Sequence, residues 1–176
     1  MQQSEMVALI RGGVPGVGGT WADLGAGTGN FSWALAALLG PQATIYAIDR
    51  DAKAIRQLHQ RIAQNAPGTT IIPQQADITH PLDLPALDGV LMANALHFIR
   101  DQPAALAMIA GYLRPGGRLL IVEYDQHAPL PWVPFPISLV HLAELAGRAG
   151  FEPPIEIGRR VSPSSGIAMF AALAFR

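Results

Sequence analysis

The sequence predicts an α/β domain with a doubly wound, mostly parallel sheet of seven strands. Helices cover both faces and an antiparallel hairpin closes the C-terminal end. Three observations lead there. Apolar strand-like runs alternate with helix-like segments over short connections, the pattern of βαβ units. A glycine-rich turn stands between the first such strand and the helix after it. The last two strand candidates are joined only by residues 162–166, too short a link for a parallel crossover.

Ser4 to Arg11 reads as a short helix capped by Ser4 and ended by Gly12 and Gly13. Thr20 to Leu24 is a buried strand, and Phe31 to Leu39 a helix stopped by Gly40 and Pro41. Thr44 to Ile48 is the second strand. In the next helix, Asp51 to Asn65, Ile55, Leu58 and Ile62 fall at i, i+3 and i+7. Thr69 to Ile72 and Gly89 to Ala93 supply two more strands. Asp101 caps a helix through Leu113, with Pro103 in its first turn. A turn over Arg114 to Gly117 leads into a fifth strand, Arg118 to Tyr124. Ile137 to Ala149 is the last helix, and Pro154 to Val161 and Ile167 to Phe175 form the hairpin.

The chain has 176 residues, read as one domain over 1–176. Residues 1–19 are an N-terminal helix and a glycine-rich lead-in, and 125–136 a loop rich in proline and aromatic residues. There is no cysteine, which excludes thiolate zinc sites, iron–sulfur clusters and a cysteine nucleophile. No set of acids has metal-site spacing, so no metal is expected. Half of the residues are hydrophobic and the mean hydropathy is +0.26. Yet the longest uncharged apolar run, Ile167 to Phe175, falls short of the roughly 20 residues of a spanning helix. The first residues, MQQSEMVALIR, lack a basic leader before an apolar stretch, so no signal peptide is expected. A cytoplasmic protein without a membrane span is the expectation. Twelve Lys+Arg against thirteen Asp+Glu, with Lys53 the one lysine, give no basic stripe for nucleic acid.

The strongest motif is Ala22-Asp23-Leu24-Gly25-Ala26-Gly27-Thr28-Gly29-Asn30-Phe31. Glycines between strand and helix permit a tight turn and close backbone approach to a ligand, and the helix N-terminus offers N–H groups. The spacing is G-x-G-x-G, because Asn30 stands where a dinucleotide site has its third glycine. Asp23 lies at the mouth of the loop. A carboxylate about 5 Å from a pyrophosphate charge costs on the order of 3 kcal/mol at an effective dielectric of 20. The loop has no basic residue to offset this, so a ligand carrying positive charge suits it better. The earlier glycines, Gly12 to Gly19, precede a strand and read as a flexible approach.

Open α/β sheets bind ligands at the C-terminal ends of their strands. There the sequence places Asp49, suited to accept two ribose hydroxyls, then Asp77 with Ile78, then Asn94 to Phe98. Each alone reads equally as a helix cap or a solvated turn. Three such groups behind a glycine loop point to a site.

Together DLGAGTGNF, AIDRD, QQADI, DGVLMANALHFI and LRPGGRLLIVEY resemble a class I S-adenosylmethionine-dependent methyltransferase from about Trp21 onward. NALHFI with LRPGG is similar to the small-molecule group that includes the quinone C-methyltransferases. The resemblance implies a Rossmann-like fold and S-adenosylmethionine as cofactor, with S-adenosylhomocysteine as product. It implies that Gly25, Ala26, Gly27, Thr28, Gly29 and Asn30 pass beneath the cofactor, with Asp23 at its methionine part. Asp49 would bind the ribose, Arg50 would flank the adenine, and Asp77 and Ile78 would meet its amine. Asn94 and Ala95 would line the end near the methyl. A sulfonium is an activated leaving group, so a positioned acceptor in a water-poor site suffices.

An acidic-or-amide Pro-Pro-aromatic motif after the fourth strand is absent, which argues against nucleobase or protein-amide acceptors and for a small molecule. His97 and Tyr124 are the catalytic candidates, for acceptor contact or proton removal; the bland reading of His97 is packing beside Phe98. His127 reads as a second acceptor contact or a loop anchor. His141, Glu144 and Arg148 read as a solvated stripe, His59 and His80 as surface residues. The 125–136 loop, with Trp132 and Phe135, suits packing or a homodimer contact. Two other readings stay open: an interaction subunit without activity of its own, and a methyltransferase acting on RNA or protein.

Overall fold

The computed structural model describes residues 1–65, 68–163 and 165–176. Seven strands form one sheet: β1 (Gly19–Leu24), β2 (Ala43–Asp49), β3 (Thr70–Gln75), β4 (Leu87–Ala93), β5 (Leu113–Tyr124), β6 (Ile155–Val161) and β7 (Ala168–Phe175). Five helices accompany them: α1 (Gln3–Ile10), α2 (Asn30–Leu39), α3 (Ala52–Asn65), α4 (Gln102–Tyr112) and α5 (Leu139–Arg148). The sheet order is β3-β2-β1-β4-β5-β7-β6, with β1 to β5 parallel and β7 antiparallel to both β5 and β6. The doubly wound sheet with a terminal hairpin is as expected. Ser164, in the hairpin connection, lies outside the described residues.

Successive side chains along a strand point to opposite faces, so central strands feed two cores. On β5, Leu119 and Ile121 join the core beneath α4 and α5, whereas Leu120 and Val122 join the one beneath α1 and α2. Trp21 is 1% exposed and lies in register with Gly89 on β4. A Cβ at position 89 would stand 2.2 Å from the Trp21 ring, so glycine there makes room for the indole.

Local details depart from the expectations. The helix α1 is capped by Gln2, not Ser4, and the Gln2 N–H donates to Glu5 Oε2 at 2.6 Å. Strand β3 runs on through Pro73, which an edge strand tolerates because one side of it needs no donor. The expected turn at 114–117 is drawn into β5 as an irregularity. Pairing jumps from Leu87–Leu113 to Gly89–Arg118, and the Gly116 N–H and Gly117 carbonyl bond to Arg176. Asp101 does cap α4, accepting the Ala104 N–H at 3.0 Å.

The 125–136 loop packs on the exit from β4. Val133 is buried, the Phe135 N–H donates to the His97 carbonyl, and Gln102 Nε2 donates to the Phe135 carbonyl at 2.8 Å. Trp132 stays exposed.

Candidate active site

The parallel strands β1 to β5 all end on the same edge of the sheet, and their last residues build the site. Asp23 enters it from β1 as a buried acid, 1% exposed. The Ser32 hydroxyl, from the first turn of α2, donates to its Oδ2 at 2.6 Å, while Oδ1 has no hydrogen-bond partner among the described residues. Burial pushes the Asp23 carboxyl up to about 7, the Ser32 hydrogen bond opposes this, and the charge of Asp49 adds to it.

The glycine loop follows. The N–H groups of Gly25 and Ala26 both donate to the Ile48 carbonyl, which pins the turn against β2. Gly25 has φ +80°, and a Cβ there would come within 2.5 Å of the Ala95 Cβ. That close approach joins the loop to the end of β4. Gly27 has φ +55° with open space before it, so its missing side chain leaves room in the cleft.

Asp49 ends β2 and holds two backbone donors at 2.8 Å each. Its Oδ2 takes the Gly27 N–H and its Oδ1 the Asp51 N–H. This acid therefore positions the glycine loop and the start of α3 as well as facing the cleft. Asp77, after β3, is exposed and bound at Oδ1 by the Thr79 N–H and hydroxyl, bonds that lower its carboxyl below the ordinary value. Asn94, after β4, adopts φ 54°, and its buried Oδ1 lacks a donor among the described residues. A left-handed asparagine is less strained than most side chains, but it is held here by the fold.

These groups face two adjoining cavities. One, of about 220 Å³, is walled by Gly25, Asp49, Arg50, Asp77, Ile78, Thr79, Asn94, Ala95, Phe98 and Ile99. The other, of about 430 Å³, is walled by Asp23, Gly25 to Thr28, Asn30, Phe31, Asn94 and Tyr124, with Met1, Met6, Ser162, Pro163 and Met169. Gly25 and Asn94 belong to both. The structure thus brings Asp23, Gly25, Ala26, Gly27, Thr28, Asn30, Asp49, Arg50, Asp77, Ile78, Asn94, Ala95 and Tyr124 to one cleft. Gly29 stands behind it as the left-handed residue that starts α2.

His97 takes another position. It is 2% exposed, walls neither cavity, and its Nδ1 lies 2.6 Å from Oε2 of Glu123, which is fully buried. The His97 N–H also donates to Glu123 Oε1. The imidazole stands between the Phe98 ring, 4.2 Å away, and the Tyr124 ring, 6.0 Å away. Glu123 was not among the sequence candidates, although a charge directly after the apolar run Leu119 to Val122 signals it. Arg61 was also missed. From α3 it stacks on Trp33 and donates to Asn30 Oδ1 at 2.9 Å and to the Thr28 carbonyl. His127, His141, His59 and His80 are exposed. Among the described residues no three His, Asp or Glu side chains cluster as a metal site, and no helix is long and apolar enough to cross a membrane.

A family model described as a methyltransferase domain matches residues 22–119, from the strand that carries Asp23 into β5. The chain belongs to the class I methyltransferase family. This methyltransferase domain is 31% identical over 137 residues to the O-methyltransferase cnsE of Penicillium expansum, covering 76% of this chain and 45% of that protein. It is 25% identical over 105 residues to the ubiquinone/menaquinone biosynthesis C-methyltransferase UbiE of Saccharophagus degradans, covering 59% and 42%. The domain thus spans about half the length of these curated relatives. Its fold matches the Burkholderia thailandensis 1,6-didemethyltoxoflavin-N1-methyltransferase, a structure with S-adenosylhomocysteine bound, at TM-score 0.78 and 18% identity over 99% of this chain and 77% of that one. It also matches the cyclase SpnF at TM-score 0.81 and 15% identity, over 99% and 81%.

Proposed function

We propose that the chain binds S-adenosylmethionine across the two cavities and transfers its methyl group to a small-molecule acceptor. One observation carries this reading. In the wall of the second cavity, Asp23 and Asn94 each keep a buried oxygen, Oδ1, with no donor among the described residues. Buried polar atoms left unpaired are costly, so two acceptors in one cleft call for a ligand that donates. An ammonium does so, and a pyrophosphate does not.

The residues present fit that cofactor. Asp23 and Asn94 accept from its methionine ammonium. Asp49, already aimed along the loop by Gly27 and Asp51, accepts from ribose hydroxyls. Asp77 and the Ile78 backbone would hold the adenine, with Arg50 beside it in the same cavity. When bound, the cofactor supplies a methyl on an activated sulfonium leaving group, so the protein has to orient the acceptor and exclude water. Glu123, with Oε2 2.6 Å from Nδ1, orients the His97 ring. His97, its ring 6.0 Å from that of Tyr124 in the wall of the second cavity, would take up an acceptor proton.

Thermal unfolding with and without S-adenosylhomocysteine tests this. A ligand at about 100 times its Kd stabilises the folded state by about 2.7 kcal/mol, a clear rise in Tm. The rise is expected for the wild type and is lost in Asp49→Ala. Equal Tm with and without the ligand in the wild type contradicts the reading.

A further inference from the structure

A third cavity, of about 340 Å³, lies between the start of α1, the middle of α2 and the end of α3. Gln3, Trp33, Ala37, Arg61 and Asn65 wall it, and none of them walls the strand-end cleft. Its polar atoms include donors with nothing to donate to. Arg61 sends Nη1 to the Thr28 carbonyl and to Asn30 Oδ1, while its guanidinium stacks on the Trp33 ring at 5.1 Å. The Nε and Nη2 groups of Arg61 have no acceptor among the described residues. Trp33 Nε1 is buried and likewise has none among them. A buried donor left unpaired is costly, so the place calls for an acceptor.

Charge says which acceptor. Neither α2 nor α3 carries an acid. Glu5, the one acid of α1, is taken by Arg160 and by the Gln2 N–H. Arg61 is therefore a half-buried cation without a carboxylate, and burial lowers its guanidinium from the ordinary value. Its Nε–H and Nη2–H lie side by side in one plane, the fork that a carboxylate fills with both oxygens. A phosphate dianion would bring two charges to a single cation. The Trp33 ring and Ala37 supply an apolar wall for the body that bears the carboxylate.

We propose that Arg61 and Trp33 form a second ligand site, apart from the strand-end cleft, which takes a small monocarboxylate. Arg61 holds both carboxylate oxygens through Nε and Nη2, and Trp33 Nε1 donates to one of them. The site shares no wall with the cleft, so it does not depend on the cofactor reading.

Nuclear magnetic resonance of nitrogen-15-labelled protein tests this, because the chain has three indole N–H groups, on Trp21, Trp33 and Trp132. Benzoate is titrated at constant ionic strength against benzamide, the same ring without the charge. Benzoate is expected to move the Trp33 indole signal saturably and to leave the other two in place. It is expected to bind at least about tenfold more tightly than benzamide. In Arg61→Gln, affinity for benzoate falls by about tenfold or more and that for benzamide stays the same. A Trp33 signal that benzoate leaves unmoved, or that benzamide moves with equal affinity, overturns the proposal and needs no variant to fold. So does an equal response from all three indoles, or benzoate affinity retained in Arg61→Gln.

Discussion

Glu123 on β5 and His97 after β4 meet at 2.6 Å, the histidine 2% exposed and the glutamate fully buried. The same carboxylate accepts the His97 backbone N–H through its other oxygen. It thereby fixes both the ring and the chain that carries it. Removing one partner of a buried pair leaves the other uncompensated, at about 3–5 kcal/mol. Glu123→Ala is expected to lose about that much stability. Glu123→Gln keeps an acceptor for Nδ1 and is expected to lose about 1–3 kcal/mol. Urea unfolding of the two variants measures the difference, and equal stabilities would contradict a hydrogen-bonding role for the carboxylate.

Asp23 makes the chain sensitive to pH. Unfolded, its carboxyl titrates near the ordinary value of 3.8; folded, burial holds its proton up to about 7. Between these values the folded state binds the extra proton, so stability falls as pH rises from about 4 to about 7 and is flat on either side. The total is at most about 4 kcal/mol. Asp23→Asn is expected to flatten that slope, as read from Tm against pH.

Binding has the opposite dependence. A bound ammonium favours the ionised form of Asp23, so binding releases a proton below about pH 7 and tightens as pH rises toward it. Calorimetry at about pH 6 in two buffers of different ionisation enthalpy reads that proton directly. Identical heats in both buffers would show that Asp23 keeps its protonation state.

Two glycines of one loop should separate fold from ligand. Gly25→Ala drives a methyl to 2.5 Å from Ala95 and is expected to cost stability. Gly27→Ala meets nothing within 4 Å, so the left-handed backbone costs only about 1–2 kcal/mol. Its methyl enters the cleft, and affinity for S-adenosylhomocysteine is expected to fall by about tenfold or more. Comparison of Tm with Kd for both variants checks this. Unchanged affinity in Gly27→Ala would place the ligand elsewhere.

Arg61 ties α3 to the loop through Thr28 and Asn30. Arg61→Ala is expected to weaken S-adenosylhomocysteine binding by several-fold with a small change in Tm, because the contact sets loop position and not the core. A loss of stability with full affinity would make it a packing residue.

The parts legible in the sequence were those with local signals. The glycine turn, the Asp101 cap and the strand-end acids each announce themselves within a few residues, and the structure brings them where the strand order requires. A charge after an apolar run marks Glu123 alone, but its pairing with His97 spans 26 residues and depends on β4 lying beside β5, so no local pattern marks the partner. The second role of Asp49 was hidden for the same reason, since its bond to Gly27 crosses from β2 to the loop after β1. The second cavity draws on α1, α2, β5 and β7 together. Only three-dimensional assembly shows it.

Calorimetric titration of the folded protein with S-adenosylmethionine, S-adenosylhomocysteine and NAD bears most directly on the central claim. The unpaired acceptors of Asp23 and Asn94 predict saturable binding of the first two and none of NAD. Binding of NAD, or of neither S-adenosyl compound, would contradict it.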